Sequence, residues 1–129
     1  MAYRKDWGNS PQIGPQGFAR TMKTIGRVVT VATTDYTTGV IGAFTLPAGF
    51  TVVSIICVST AMAAIAFKVG DSVDVDRYIV TGLTGATNTT LDAAGYLYKN
   101  TAETEVLVTL SAGSVAGTIT IYITGFIDN

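Results

Sequence analysis

With 129 residues, the chain has room for one hydrophobic core and a tail. Apolar residues make up 48% and charged residues 13%, which excludes disorder along the whole chain and demands either a very complete core or a partner surface. Histidine is absent and cysteine occurs once, so Ser/His/Asp and Cys/His catalysis, the commonest metal ligand and an internal disulfide framework are all excluded.

The net charge of −1 hides a division. Residues 1–27 carry Arg4, Lys5, Arg20, Lys23 and Arg27 against Asp6, whereas the acidic groups concentrate in the remainder. A basic arm precedes an acidic body. Thr is the most prominent residue type, and with abundant Val and Ile it loads the chain with β-branched side chains that suit a pleated sheet.

Residues 1–22 hold Pro11, Pro15, Gly8, Gly14 and Gly17 and show no period that would bury a face, so they read as an extended arm ahead of a body at 23–129. No apolar stretch follows the charged start MAYRKD, so no secretory signal is expected, and synthesis is expected in the cytoplasm of the host cell. From Ile25 onward, short β-type runs alternate with Gly, Pro, Asp and Asn turn signals, predicting eight strands at about 27–33, 39–46, 51–60, 63–69, 77–83, 95–99, 103–110 and 117–127. Eight antiparallel strands without a helical stretch predict an all-β fold, an antiparallel β-sandwich of the jelly-roll kind. An immunoglobulin-like sandwich competes, but its Cys, Trp, Cys pattern is absent.

Two strands carry particular information. In 117–127, Ile119, Ile121 and Ile123 alternate with Thr118, Thr120, Tyr122 and Thr124, the period of a half-buried strand. In 51–60, Val52, Ile56 and Val58 share one parity while Val53, Ile55 and Cys57 share the other, so both faces demand burial. A neighbouring subunit is the simplest cover, and Val53 and Ile55 are expected at that protein interface. The charge-free run 50–67 approaches the length of a membrane span, but Pro47, Gly49, its hydroxyl residues and its β-branching predict strand and no membrane segment.

Candidate chemistry is thin. Cys57 lies in an apolar run and reads as a small buried hydrophobe. The run TGLTGAT at 81–87 lacks the order of a phosphate-binding loop. Glu103 and Glu105 share one strand face as solvated carboxylates. The sequon at Asn88 reads as a loop. Asp71, Asp74 and Asp76 are a weak candidate for calcium, set against a turn whose carboxylates accept backbone N–H bonds. No cofactor is expected. In the arm, Tyr3 and Trp7 beside Arg4 and Lys5, followed by Phe18 and Arg20, combine aromatic and cationic anchors of the kind that dominate protein interfaces, and this reading is favoured over nucleic-acid binding.

The segment FTLPAGFTVVSIICVS, followed by FKVGDSVDVDRYI and closed by the Gly-led strand GTITIYITGF, resembles a pattern in small structural proteins of tailed-bacteriophage virions. A Leu-Pro turn leads into a β-branched strand, and a Gly-Asp, Asp-rich turn follows the next. The likeness spans residues 40–127. It implies a decoration or cement protein on the capsid surface: a β-sandwich, often a trimeric homo-oligomer, that bolts major capsid proteins together. The arm matches no family motif, so its assignment to capsid contact rests on its residues. Two alternatives remain: another virion part of the same fold, such as a head fibre base, neck or baseplate subunit, and a carbohydrate-binding jelly roll using Tyr96, Tyr98 and Tyr122.

Overall fold

Alternation of small hydroxyl and β-branched residues dictates most of the architecture, because every second side chain of a strand faces the same way. The computed structural model describes residues 22–62 and 65–127. In chain order the elements are β1 (Lys23–Val31), a short helix α1 (Asp35–Thr38), β2 (Val40–Leu46), β3 (Phe50–Ser59), β4 (Ala66–Gly70), β5 (Ile79–Leu83), β6 (Thr87–Asn88), β7 (Thr104–Leu110) and β8 (Gly117–Ile127). They form two antiparallel four-stranded sheets, β1-β8-β3-β6 (sheet A) and β2-β7-β4-β5 (sheet B). This strand order is that of a jelly roll, two interleaved Greek keys closed into a sandwich.

Between the sheets lies one core. Ile119, Ile121 and Ile123 of β8 meet Val52, Ile55 and Cys57 of β3 and Val29 and Val31 of β1, facing Phe67, Val69, Val106 and Val108 of sheet B. Each such buried aliphatic side chain contributes about 1.5–3 kcal/mol relative to exposure. The charge-free run 50–67 is therefore mostly strand, and no helix among the described residues is long and apolar enough to cross a membrane.

The expected conflict in β3 is resolved by a bulge. The register against β8 runs Val52↔Gly125 and then Ser54↔Thr124, leaving Val53 as an extra residue. Inward parity changes there, from Phe50 and Val52 to Ile55, Cys57 and Ser59. Ile55 is 1% exposed and belongs to the sandwich's own core, so its expected place at an interface does not hold in the single chain. Val53 is half-buried at the bulge, and Ile56 and Val58 are the apolar residues that β3 turns outward.

Seven of the eight expected strands are present. The one expected at 95–99 is a turn, because Leu97 takes a left-handed φ of 60° that an extended strand cannot contain. Its backbone still pairs with the edge of β3: the Leu97 amide donates to Val52 O (2.7 Å) and the Val52 amide to Tyr98 O (3.1 Å). The remaining strand, β6 at Thr87–Asn88, takes in the sequon asparagine expected in a loop, and the Asn88 side chain exchanges two hydrogen bonds with the backbone of Leu83. Before β3, the Pro47 carbonyl accepts from the Phe50 amide across a turn whose third residue, Gly49, has φ 85°, the geometry that favours glycine.

Cys57 is fully buried, and burial pushes its thiol up to about 12. Near pH 8 a disulfide reagent should leave Cys57 untouched in the native protein and modify it completely after unfolding in guanidinium, because only the thiolate attacks. Rapid labelling of the native protein would place Cys57 outside the core.

Candidate protein interface

Sheet A's outward face is built from three paired strands. Registers of β8 with β1 and with β3 place four rows side by side: Thr24, Thr124 and Ser54; Gly26, Tyr122 and Ile56; Val28, Thr120 and Val58; Thr30 and Thr118. None of these eleven positions carries a charge. At their centre Val28, Ile56, Val58 and Tyr122 stand 53, 44, 43 and 44% exposed. The Tyr122 ring lies over Gly26, whose missing side chain makes the space, and the Thr24 and Thr124 hydroxyls share a hydrogen bond of 2.9 Å. A hydroxyl-rimmed apolar patch of this kind fits protein contact, since it buries methyl groups without stripping water from any charge. Sheet B differs outwardly, carrying exposed Lys68 and Glu105.

Charge is segregated along the strands. The strand order gathers the connections 47–49, 71–78 and 89–103 at one end of the sandwich, together with the start of β1 and the end of β8. Asp71, Asp74, Asp76, Asp92, Glu103 and Glu105 all belong to this end. The opposite end holds Asp35 as its one acidic group among the described residues. The basic arm thus joins the body at its acid-rich end.

That end is organised by a buried ion pair. Asp71 and Arg77 are 2 and 9% exposed, and the Arg77 Nε donates to Asp71 Oδ2 at 2.6 Å. Asp71 Oδ1 also accepts the backbone amides of Val73 and Asp74, both at 2.9 Å. Above, the Arg77 guanidinium lies 3.7 Å from the centre of the Tyr98 ring. Burial opposes ionisation of Asp71, but the Arg77 hydrogen bond, the two amides and the Arg77 charge together outweigh it and hold the carboxyl below its usual range. The weak calcium candidate is accounted for in this way, because Asp71 is committed to Arg77 and the turn. Among the described residues no cluster of His, Cys, Asp or Glu could hold a metal ion. Asp71, Glu103 and Glu105 line a shallow cleft of about 290 Å³ with Val73 and Tyr98.

Tyr3, Arg4, Lys5, Trp7, Phe18 and Arg20 lie outside the described residues. The tyrosines considered for sugar stacking do not form one platform: Tyr122 sits on the outer face of sheet A, Tyr98 lies beneath Arg77, and Tyr96 is exposed in the 89–103 connection. That β3 turns Ile56 and Val58 outward and keeps Ile55 inside was hidden from the sequence, because the bulge has no signal in its β-branched run.

No protein-family model and no curated protein matches the sequence. Solved structures do share its fold. A chain in the cyanophage Pam1 capsid asymmetric unit superposes with a TM-score of 0.66 at 20% identity, covering 84% of this chain and 86% of that one. A chain in the capsid of Ralstonia phage GP4 gives 0.60 at 16% identity over 84 and 86%. A third, in the acid-stable capsid of the Helicobacter pylori bacteriophage KHP30, gives 0.56 at 14% identity over 84 and 95%. Coverage is high in both directions, so the likeness runs from whole domain to whole chain.

Replacing Asp71 with Ala leaves Arg77 buried without its partner and should cost about 3–5 kcal/mol in urea unfolding, whereas Asp76→Ala should stay within about 0.5 kcal/mol. Equal effects would remove the ion pair from its organising role. Because the folded Asp71 carboxyl is held below its ordinary value of 3.8, its contribution is complete above that pH and is lost as pH falls through the folded value. Acid unfolding of the wild type should therefore steepen below about pH 4, and Asp71→Asn should flatten that slope. An unchanged slope would contradict the assignment.

Proposed function

We propose that the chain is a structural protein of a tailed-phage virion, a decoration or cement protein that binds the lattice of major capsid protein on the capsid surface as a trimer, without catalytic activity. The observation that carries this reading is the jelly roll shared over nearly full length with chains in three phage capsid structures. The uncharged outer face of sheet A supports it, since a freely soluble monomer gains nothing from eleven outward positions without a charge. In this reading Tyr3, Arg4, Lys5 and Trp7 anchor the arm on the shell, because an extended segment loses conformational entropy on docking and needs aromatic and charged anchors to offset it. The sheet A face serves contact between copies.

The full-length protein should saturate purified shells that lack it. A variant combining Tyr3→Ala, Arg4→Glu, Lys5→Glu and Trp7→Ala should retain the fold by circular dichroism and lose at least tenfold in shell affinity by co-sedimentation. Full occupancy by that variant would overturn the anchoring role, and failure of the wild type to bind any phage shell would overturn the virion reading.

A further inference from the structure

The arm is not uniform. Its charges fall at Arg4, Lys5 and Asp6 and again at Arg20, and the twelve residues 8–19 between them carry none. Within this neutral stretch Ile13 and Phe18 are the two large apolar side chains, and Pro11 and Pro15 favour an extended course. On the body, the neutral outward surface is the face of sheet A, with its centre at Val28, Ile56, Val58 and Tyr122. We infer that residues 8–19 of one copy lie across the outer face of sheet A of a neighbouring copy, with Ile13 and Phe18 on that apolar centre.

Charge matching favours this pairing. A charged segment laid on this face would lose hydration with no partner to replace it, whereas the stretch 8–19 brings no charge to desolvate. Length is sufficient. From the Thr24 row to the Thr30 row the face runs about 20 Å at the rise of an antiparallel strand, and twelve extended residues reach about 37 Å. Direction selects a neighbour over the chain's own body. Folding back would need a tight reversal just ahead of β1, and Ala19, Arg20, Thr21 and Met22 include none of the Gly, Pro, Asn or Asp residues that build one. β1 is an edge strand of sheet A, so a segment running on from its start leaves the sandwich at the margin of that face.

This inference deepens the proposed role by naming what covers the face, and its test separates from shell binding because it is read free of shells. The full-length protein should be multimeric by light scattering, whereas Ile13→Asp combined with Phe18→Asp, in a segment outside the sandwich, and Val58→Asp, on its solvent side, should each cut the multimer population at least tenfold while leaving the circular dichroism spectrum intact. A mixture of Phe18→Cys chains with Val58→Cys chains should give a disulfide between chains, since native Cys57 is buried. A monomeric wild type would overturn the inference, as would a multimer indifferent to these changes. So would a cross-link formed within single Phe18→Cys, Val58→Cys chains, which would mean that the acid-rich end draws the arm back onto its own body.

Discussion

The organisation of the molecule depends on one irregularity, the bulge at Val53. A strand with apolar residues on both parities can satisfy only one core if it stays regular, and the other parity is then stranded in water. By inserting one unpaired residue, β3 delivers Phe50 and Val52 and then Ile55 and Cys57 to the same core, although the two pairs differ in parity. What is left outside is reduced to Ile56 and Val58. The same bulge defines the outer surface, because those two residues align with Tyr122, Thr120 and Val28 into the uncharged rows of sheet A.

A second constraint works at the end of the sandwich where β3 begins. Long connections can be held in place only if their backbone groups and charges find partners. Asp71 takes two backbone amides and the Arg77 guanidinium, Arg77 stacks on Tyr98, and Tyr98 is tied through its carbonyl to Val52. One chain of contacts therefore links the 71–78 connection through the 89–103 connection to the bulged strand. Asn100 completes the attachment by donating its backbone amide to Phe50 O at 2.9 Å.

Much of this was legible in the sequence where one residue pattern had one solution. Ile119, Ile121 and Ile123 fixed β8 by their spacing, the Leu46-Pro47 pair marked the turn into β3, and eight runs separated by turn residues implied two packed sheets. Three features were not legible. Bulges have no composition of their own in a β-branched run, so Ile55 looked as available to a partner as Val58. Gly95 and the aromatics of 95–99 resemble a strand, but Leu97 turns left-handed because its amide is drawn to Val52 O and not to a regular ladder. At Asp71, Asp74 and Asp76 the turn with carboxylates accepting backbone N–H bonds was legible and preferred over calcium, but the chain alone does not reveal that Arg77 folds back over Asp71. Those three cases share a cause: each depends on a contact made outside the run of residues concerned, which the local alternation pattern does not encode.

The proposed function divides its work among these parts: the jelly roll is the rigid body, the uncharged outer face of sheet A is the contact face, and residues 1–21, which precede edge strand β1, are the anchor. The most direct test is a cryo-electron microscopy reconstruction of the assembled virion in which this chain can be traced. It should show the jelly roll repeated at the local symmetry centres of the shell, with Val28, Ile56, Val58 and Tyr122 covered by protein. A reconstruction with sheet A facing open solvent, or with the chain confined to a single vertex, would contradict the account.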